Sequence, residues 1–201
     1  MRRLVGDLLL LARVDAKRVQ PHHPTRMDRV LMEAASEIGP VAEEHALEID
    51  ARRAIVSGAR DDLHRLVLNL IENAVKHTPP GTHVRASTMT ANGDVMLVVE
   101  DDGPGISQEL QDRIFERFVR GSGDRSPDGQ DRARGSGLGL SIVRAVAESH
   151  GGSVALEHSG GGRGARFVVR LPAGAGPAAR GNGDQTSTTT GSTMGRRRSR
   201  S

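Results

Sequence analysis

The chain has 201 residues, enough for one domain with a core, and 36% of them are hydrophobic, with three phenylalanines and no Trp or Tyr. No cysteine occurs, which excludes disulfides and thiolate metal sites. The formal net charge of +3 is misleading: residues 173–201 carry five arginines against one aspartate, while residues 1–172 carry 23 basic and 24 acidic groups, so no nucleic-acid role is expected for the globular part.

Residues 1–17, MRRLVGDLLLLARVDAK, set Leu4, Val5, Leu8, Leu11 and Ala12 on one face of an amphipathic helix that starts without an N-cap. Its apolar run carries Asp7 and Arg13, is too short to span a bilayer, and lacks the cleavage site of a signal peptide. QPHHP at 20–24 breaks the chain. A helix is predicted over 28–45, burying Val30, Leu31, Ala34, Ala35, Ile38, Val41 and Ala42, with Pro40 able to kink or shorten it. Residues 47–57 read as a short strand and turn. Asp61 or Asp62 is placed to cap the next helix, whose apolar face is Leu63, Leu66, Val67, Leu70, Ile71 and Ala74 and which Pro79 ends. That helix also carries Asn69, Asn73 and Lys76 on one stripe, since residues three and four apart share a helix face.

THVRASTMT and DVMLVVED flank Ala91-Asn92-Gly93 and predict a β-hairpin. Residues 106–134 form a long polar loop with one helical turn at 108–119; loops of this length are functional lids or disordered. GSGLGLSIVRAVAESHGG predicts a glycine-rich turn entering a helix, and SVALEHS and ARFVVRLP predict two closing strands. From Ala173 onward the chain has almost no large apolar residue and is predicted to be a disordered tail.

Two glycine-bearing segments carry chemistry. DDGPG at 101–105 puts a carboxylate at a strand end, where it can bind a metal, cap a turn or read a base. GSGLG at 135–139 opens a helix, where glycines let backbone N–H groups approach phosphate oxygens. It lacks the Gly-Lys-Ser/Thr of a P-loop, and no parallel βαβ unit surrounds it as a dinucleotide fingerprint requires.

The order of the parts is the specific signal. NLIENAVKH, EDDGPGI, RIFERFVRG and GSGLGLSIV, in that sequence, resemble the N box, first glycine box, F box and second glycine box of the ATP-binding catalytic domain of sensor histidine kinases. That domain belongs to the ATPase superfamily shared with DNA gyrase, mismatch-repair and chaperone ATPases. The resemblance implies an α+β two-layer sandwich: a mixed, mostly antiparallel sheet covered on one face by about three helices, with a long ATP lid. It implies a remnant of the second dimerisation helix at 1–19, the catalytic domain at 20–172 and the tail at 173–201. It implies ATP and Mg²⁺ as ligands, with Asn73 holding the metal through its side-chain carbonyl and Asn69 near the polyphosphate. Lys76 would offset phosphate charge, aided by His77. Asp101 would accept the exocyclic amine of adenine, while Gly103, Gly105 and Ile106 pass close to the base. Gly135, Gly137, Leu138, Gly139 and Leu140 would wrap the phosphates, and Phe115 and Phe118 would be apolar anchors docking the lid.

The same resemblance implies transfer of the γ-phosphate to a histidine on a dimerisation hairpin, with a response regulator downstream and a cytoplasmic setting. This sequence holds no HELRTP-like acceptor motif, so the chain is expected to be a fragment of a longer kinase or a shortened product, inactive without a supplied hairpin. Negligible hydrolysis is expected, since Asn69 stands where gyrase-type relatives have a glutamate base. Ala165 replaces a threonine common near the adenine. Without its hairpin partner the first helix is expected to fray or self-associate weakly. Two alternatives are a serine kinase of the anti-sigma type, against which the FxxF element argues, and an ATP-sensing regulatory module that transfers nothing.

Overall fold

The computed structural model describes residues 2–16, 20–119, 136–157 and 163–174. Helix α1 (Arg2–Asp15) comes first. Strand β1 (His23–Arg26) arises where the sequence predicts only a break, and pairs antiparallel with β3 (Ile55–Gly58). Pro24 is tolerated because β1 is an edge strand, with β3 as its one ladder partner among the described residues. Helix α2 (Met27–Ile38) stops short of the predicted residue 45 and passes into a 3-10 turn, Gly39–Val41. Pro40 removes the N–H that the helix would need next, and Val41, predicted to be buried, is 62% exposed.

The stretch predicted as one strand and turn at 47–57 is two strands in different sheets: β2 (Ala46–Ala51) and β3. Helix α3 (Arg60–Lys76) follows, with Ala59 at its N-cap and no side-chain cap. Neither Asp61 nor Asp62 caps it; Asp62 instead accepts from Arg13 of α1 at 2.5 Å. Strands β4 (His83–Ala91) and β5 (Asp94–Asp101) form the predicted hairpin, and Asn92 and Gly93 adopt the positive φ, 54° and 85°, that its tight turn requires. Helix α4 (Gln108–Gln111) is one turn, shorter than the predicted 108–119. Helix α5 (Gly139–Ser149), β6 (Ser153–Glu157) and β7 (Arg166–Pro172) complete the order.

The main sheet has five strands in the order β2-β4-β5-β7-β6. Only β2 and β4 run parallel; the other neighbours are antiparallel. Period-two alternation turns Val84, Ala86, Val95, Leu97, Val99, Phe167, Val169 and Leu171 to one face, all fully buried. Leu31, Leu66, Leu70, Ile142 and Val146 of α2, α3 and α5 complete the core, which is the expected two-layer sandwich. The opposite face carries a row at one register level, Glu48, Arg85, Glu100, Arg166 and Glu157, one residue from each strand with alternating sign. Arg166 bridges Glu100 at 2.5 Å and Glu157 at 3.5 Å. Such a row suits water, so this face is not where a cleft forms.

Helix α1 packs against α5. Only part of its predicted stripe is covered: Leu11 is buried, while Leu4, Val5 and Leu8 are exposed. The buried Asp7 is paired with Arg65 of α3. The centre of the predicted lid, 120–135, and all but two residues of the predicted tail lie outside the described residues. Those two pack on the body of the domain: Ala173 bridges to Val56, and the Gly174 N–H donates to Ile55 at 2.8 Å.

Candidate functional site

The stretches singled out in the sequence meet in pairs. Helix α3 buries its apolar face against the sheet, which turns the Asn69–Asn73–Lys76 stripe to its flank. Asn69 is 6% exposed, and among the described residues its buried Nδ2 has no hydrogen-bond partner. An orphaned buried donor costs about 1–3 kcal/mol, so a fold retaining one has a reason to do so. The Oδ1 of the same amide lies 3.6 Å from where a Cβ on Gly139 would sit, so the first residue of α5 passes directly over this asparagine. Asn73, one turn on, is half-buried. Lys76 Nζ donates to Glu72 Oε2 at 2.9 Å, and His77 is the exposed C-cap.

At the end of β5, Asp101 is 8% exposed. Its Oδ1 accepts from the Gly103 N–H at 3.0 Å and the Ala165 N–H at 3.2 Å. Among the described residues, that leaves Oδ2 for another donor. Burial pushes the carboxyl above its ordinary pKa, and the two N–H donors pull the other way. Glycine is required around it. A Cβ on Gly103 would lie 2.6 Å from Thr78 Cγ2, and one on Gly164, whose φ is +86°, would lie 1.8 Å from the Asp101 carbonyl oxygen. Gly105 faces that same Gly164 turn, and Ile106 packs half-buried against the core.

The F-box and second glycine segments also touch. Phe115 is half-buried against the core, edge-on to Phe167 with centroids 6.2 Å apart. Phe118 corrects the expectation: its side chain is 65% exposed. Its φ of +64° turns the ring outward, and it docks through its backbone N–H, which donates to Gly137 O at 2.8 Å. Gly137 (φ +66°) answers that approach, since a Cβ there would meet the Phe118 backbone at 2.9 Å. Leu138 and Leu140 are buried in the core, so only their backbone is available to a ligand. Gly135 lies outside the described residues.

Asn69 with Gly139, Phe118 with Gly137, Thr78 with Gly103, and Asp101 with Gly164 therefore join four separated segments and the closing strand. Sequence reasoning gave no role to Thr78, Glu72 or His45: Glu72 lies inside the asparagine motif without being singled out, and Thr78 and His45 lie outside the four motifs. Thr78 sits at the end of the asparagine helix, where a β-hydroxyl before Pro-Pro was a usable signal. Among the described residues, no group of three or more His, Asp or Glu side chains could hold a metal.

Residues 58–175 match the family model described as histidine kinase-, DNA gyrase B-, and HSP90-like ATPase. The chain is 41% identical over 172 residues to the probable sensor histidine kinase TcrY of Mycobacterium tuberculosis, covering 85% of this chain and 35% of that protein. Among solved structures, the mycobacterial sensor histidine kinase MprB superposes with a TM-score of 0.65 at 30% identity, covering 76% of this chain and 97% of that one. Full-length ShkA in complex with AMPPNP superposes at 0.70 with 28% identity, covering 88% and 36%. The chain spans about a third of the length of the curated relatives it matches.

Proposed function

This chain belongs to the histidine kinase-, DNA gyrase B- and HSP90-like ATPase family, and from that premise we propose that it is the catalytic module of a sensor histidine kinase, which binds ATP and gives its γ-phosphate to a histidine on a dimerisation hairpin. A response regulator would take the phosphate from that histidine. The catalytic unit would run from residue 20 to residue 172, the end of β7, with α1 belonging to the second helix of a dimerisation hairpin. The exposed Leu4, Val5 and Leu8 of α1 are the surface for weak self-association.

The residues suit the nucleotide. Asp101 Oδ2 would accept from the 6-amino group of adenine. A 6-oxo purine would set oxygen against a buried carboxylate, an unpaired contact that disfavours it. Gly103, Gly105 and Gly164 keep the backbone close enough for the base to lie flat. The unpartnered Asn69 Nδ2 would donate to a phosphate oxygen. The N-terminus of α5, opened by Gly137 and Gly139, would direct N–H groups at the same anion. Lys76 would bring its charge to the phosphates while remaining within reach of Glu72. Asn73 offers one neutral side-chain oxygen, a donor Mg²⁺ accepts when phosphates and water complete its octahedron. The metal would supply charge neutralisation on the polyphosphate. With positioning as the main catalytic device, the nucleophile comes from the other domain.

The observation that carries this reading is the buried, unpartnered Asn69 amide facing Gly139. Its test is phosphotransfer from radiolabelled ATP to a separately purified acceptor hairpin. Label on the hairpin histidine, with negligible phosphate release when the hairpin is omitted, is the expected result. Binding of ATP with no transfer to any hairpin from the relatives' class would leave a nucleotide-sensing module. Robust metal-dependent hydrolysis by the chain alone would contradict the absence of a base at Asn69.

A further inference from the structure

Thr78 sits behind the base-reading end of the cleft, one residue past the asparagine motif, and has no role in the reading above. Its Oγ1 donates to the Ala74 carbonyl at 2.6 Å, which uses the hydroxyl's single proton. His45 Nε2 lies 3.1 Å from the same oxygen, so the imidazole donates there through Nε2–H, and among the described residues its buried Nδ1 has no hydrogen-bond partner. Two backbone bonds hold the segment carrying His45 against the turn after Thr78: Gly81 N–H to Glu44 O at 2.6 Å and Ala46 N–H to Thr82 O at 3.0 Å. Thus both the rotamer and the place of Thr78 are set from the α2–β2 corner. The methyl that results is pressed on Gly103, where a Cβ would come within 2.6 Å of Thr78 Cγ2. Gly103 in turn donates its N–H to Asp101 Oδ1 at 3.0 Å.

This is a continuous mechanical path, His45 to Thr78 to Gly103 to Asp101. Every step is a contact that changes if its neighbour rotates. We propose that Thr78, oriented by His45, is a positioning residue for purine selection: it pins Gly103 so that Asp101 keeps Oδ1 occupied and presents Oδ2 to the 6-amino group. The inference rests on the nucleotide reading above, but it concerns only how the base is discriminated. The phosphate-facing residues lie elsewhere on α3 and on α5. A disturbance of Thr78 therefore acts on the amine contact and not on the polyphosphate.

Competition of ATP and of ITP, its 6-oxo counterpart, against a fluorescent ATP analogue tests it. The full chain is used with Mg²⁺, and folding is checked by thermal melts. Thr78→Ser keeps the hydroxyl and removes the methyl; His45→Ala removes the orienting donor. Each is expected to weaken ATP by about three- to tenfold while ITP stays within about twofold, so that discrimination narrows. His45→Gln restores an N–H donor and is expected to return the ratio towards wild type. If Thr78→Ser does not fold, the pair His45→Ala and His45→Gln carries the test, the first narrowing discrimination and the second returning it. Parallel losses for ATP and ITP, or no loss for either, would overturn the inference while leaving the nucleotide site standing. Failure of the wild type to bind either nucleotide would remove the reading on which it rests, and the inference with it.

Discussion

At the scale of single residues, the cleft is defined by what is missing: side chains at glycines, and a partner for Asn69. Gly139 gives the sharpest case. It lies in the first turn of α5, and a Cβ there would make only ordinary van der Waals contact with Asn69. Gly139→Ala should therefore leave the fold intact and, by favouring helix, raise unfolding free energy by up to about 0.5–1 kcal/mol. It should also crowd the phosphate end and weaken ADP binding several-fold. Opposite signs for stability and affinity are the expected readout of chemical denaturation paired with titration; equal signs would make Gly139 a packing residue. Asp101 supplies a pH test. Its folded pKa is raised above 3.8, mainly by burial. Its stabilising contribution to the free domain is thus fully present below that value and lost as pH rises through the raised one. An amine donor favours the ionised form, so nucleotide affinity moves the other way and strengthens with pH across the same window. Asp101→Asn should abolish that slope. Motif residues such as these were legible because type and spacing carry the chemistry. Thr78 and His45 were not, because their role exists only through contacts between segments 33 positions apart.

At the scale of elements, hydrophobic period located the buried faces of α2, α3 and α5 and the hairpin, while ends, edges and most of the α1 stripe escaped. The ribbon of β1 and β3 was unreadable because its strands are four residues each, one contains Pro24, and its pairing is non-local. The start of α3 was misread for a related reason. An aspartate in the first turn normally suggests a cap, but the Ala59 N–H at this N-terminus donates to His150 Nε2 at 3.1 Å, contributed from the far end of α5. The His150 ring is 8% exposed, sends Nδ1–H to Val146 O at 2.8 Å and stacks on His22 with centroids 4.6 Å apart. Desolvation is the main cause of a folded pKa below the ordinary 6.5; the bond to Val146 opposes it, His22 pushes the same way and Asp62 opposes. A proton on Nε2 would destroy the bond from Ala59, so the neutral ring is the folded form. The stability it contributes is fully present above about pH 6.5 and is lost as pH falls below that towards the depressed folded value. Thermal melts from pH 8 to 5 should show a loss across this window that His150→Gln flattens. An identical slope in the variant would show that the joint between α3 and α5 does not depend on this ring.

At the scale of the whole molecule, the two-layer architecture was expected from the resemblance carried by the four motifs in order, and the apolar residues repeating on the sheet's buried face and on α2, α3 and α5 build it. Periodicity alone did not give which ends would meet. The sheet brings the end of β5 beside the turn entering β7, and α3 and α5 pack side by side across it, so the asparagine stripe faces the second glycine segment. The central claim is that these four separated segments make one pocket for a magnesium-bound adenine nucleotide. The most direct measurement is calorimetric titration of the folded chain with ADP and with ATP in Mg²⁺, beside Asn73→Ala. The account predicts saturable heat at one site per chain, reduced at least several-fold in the variant. A well-folded wild type that releases no heat with either nucleotide would contradict it.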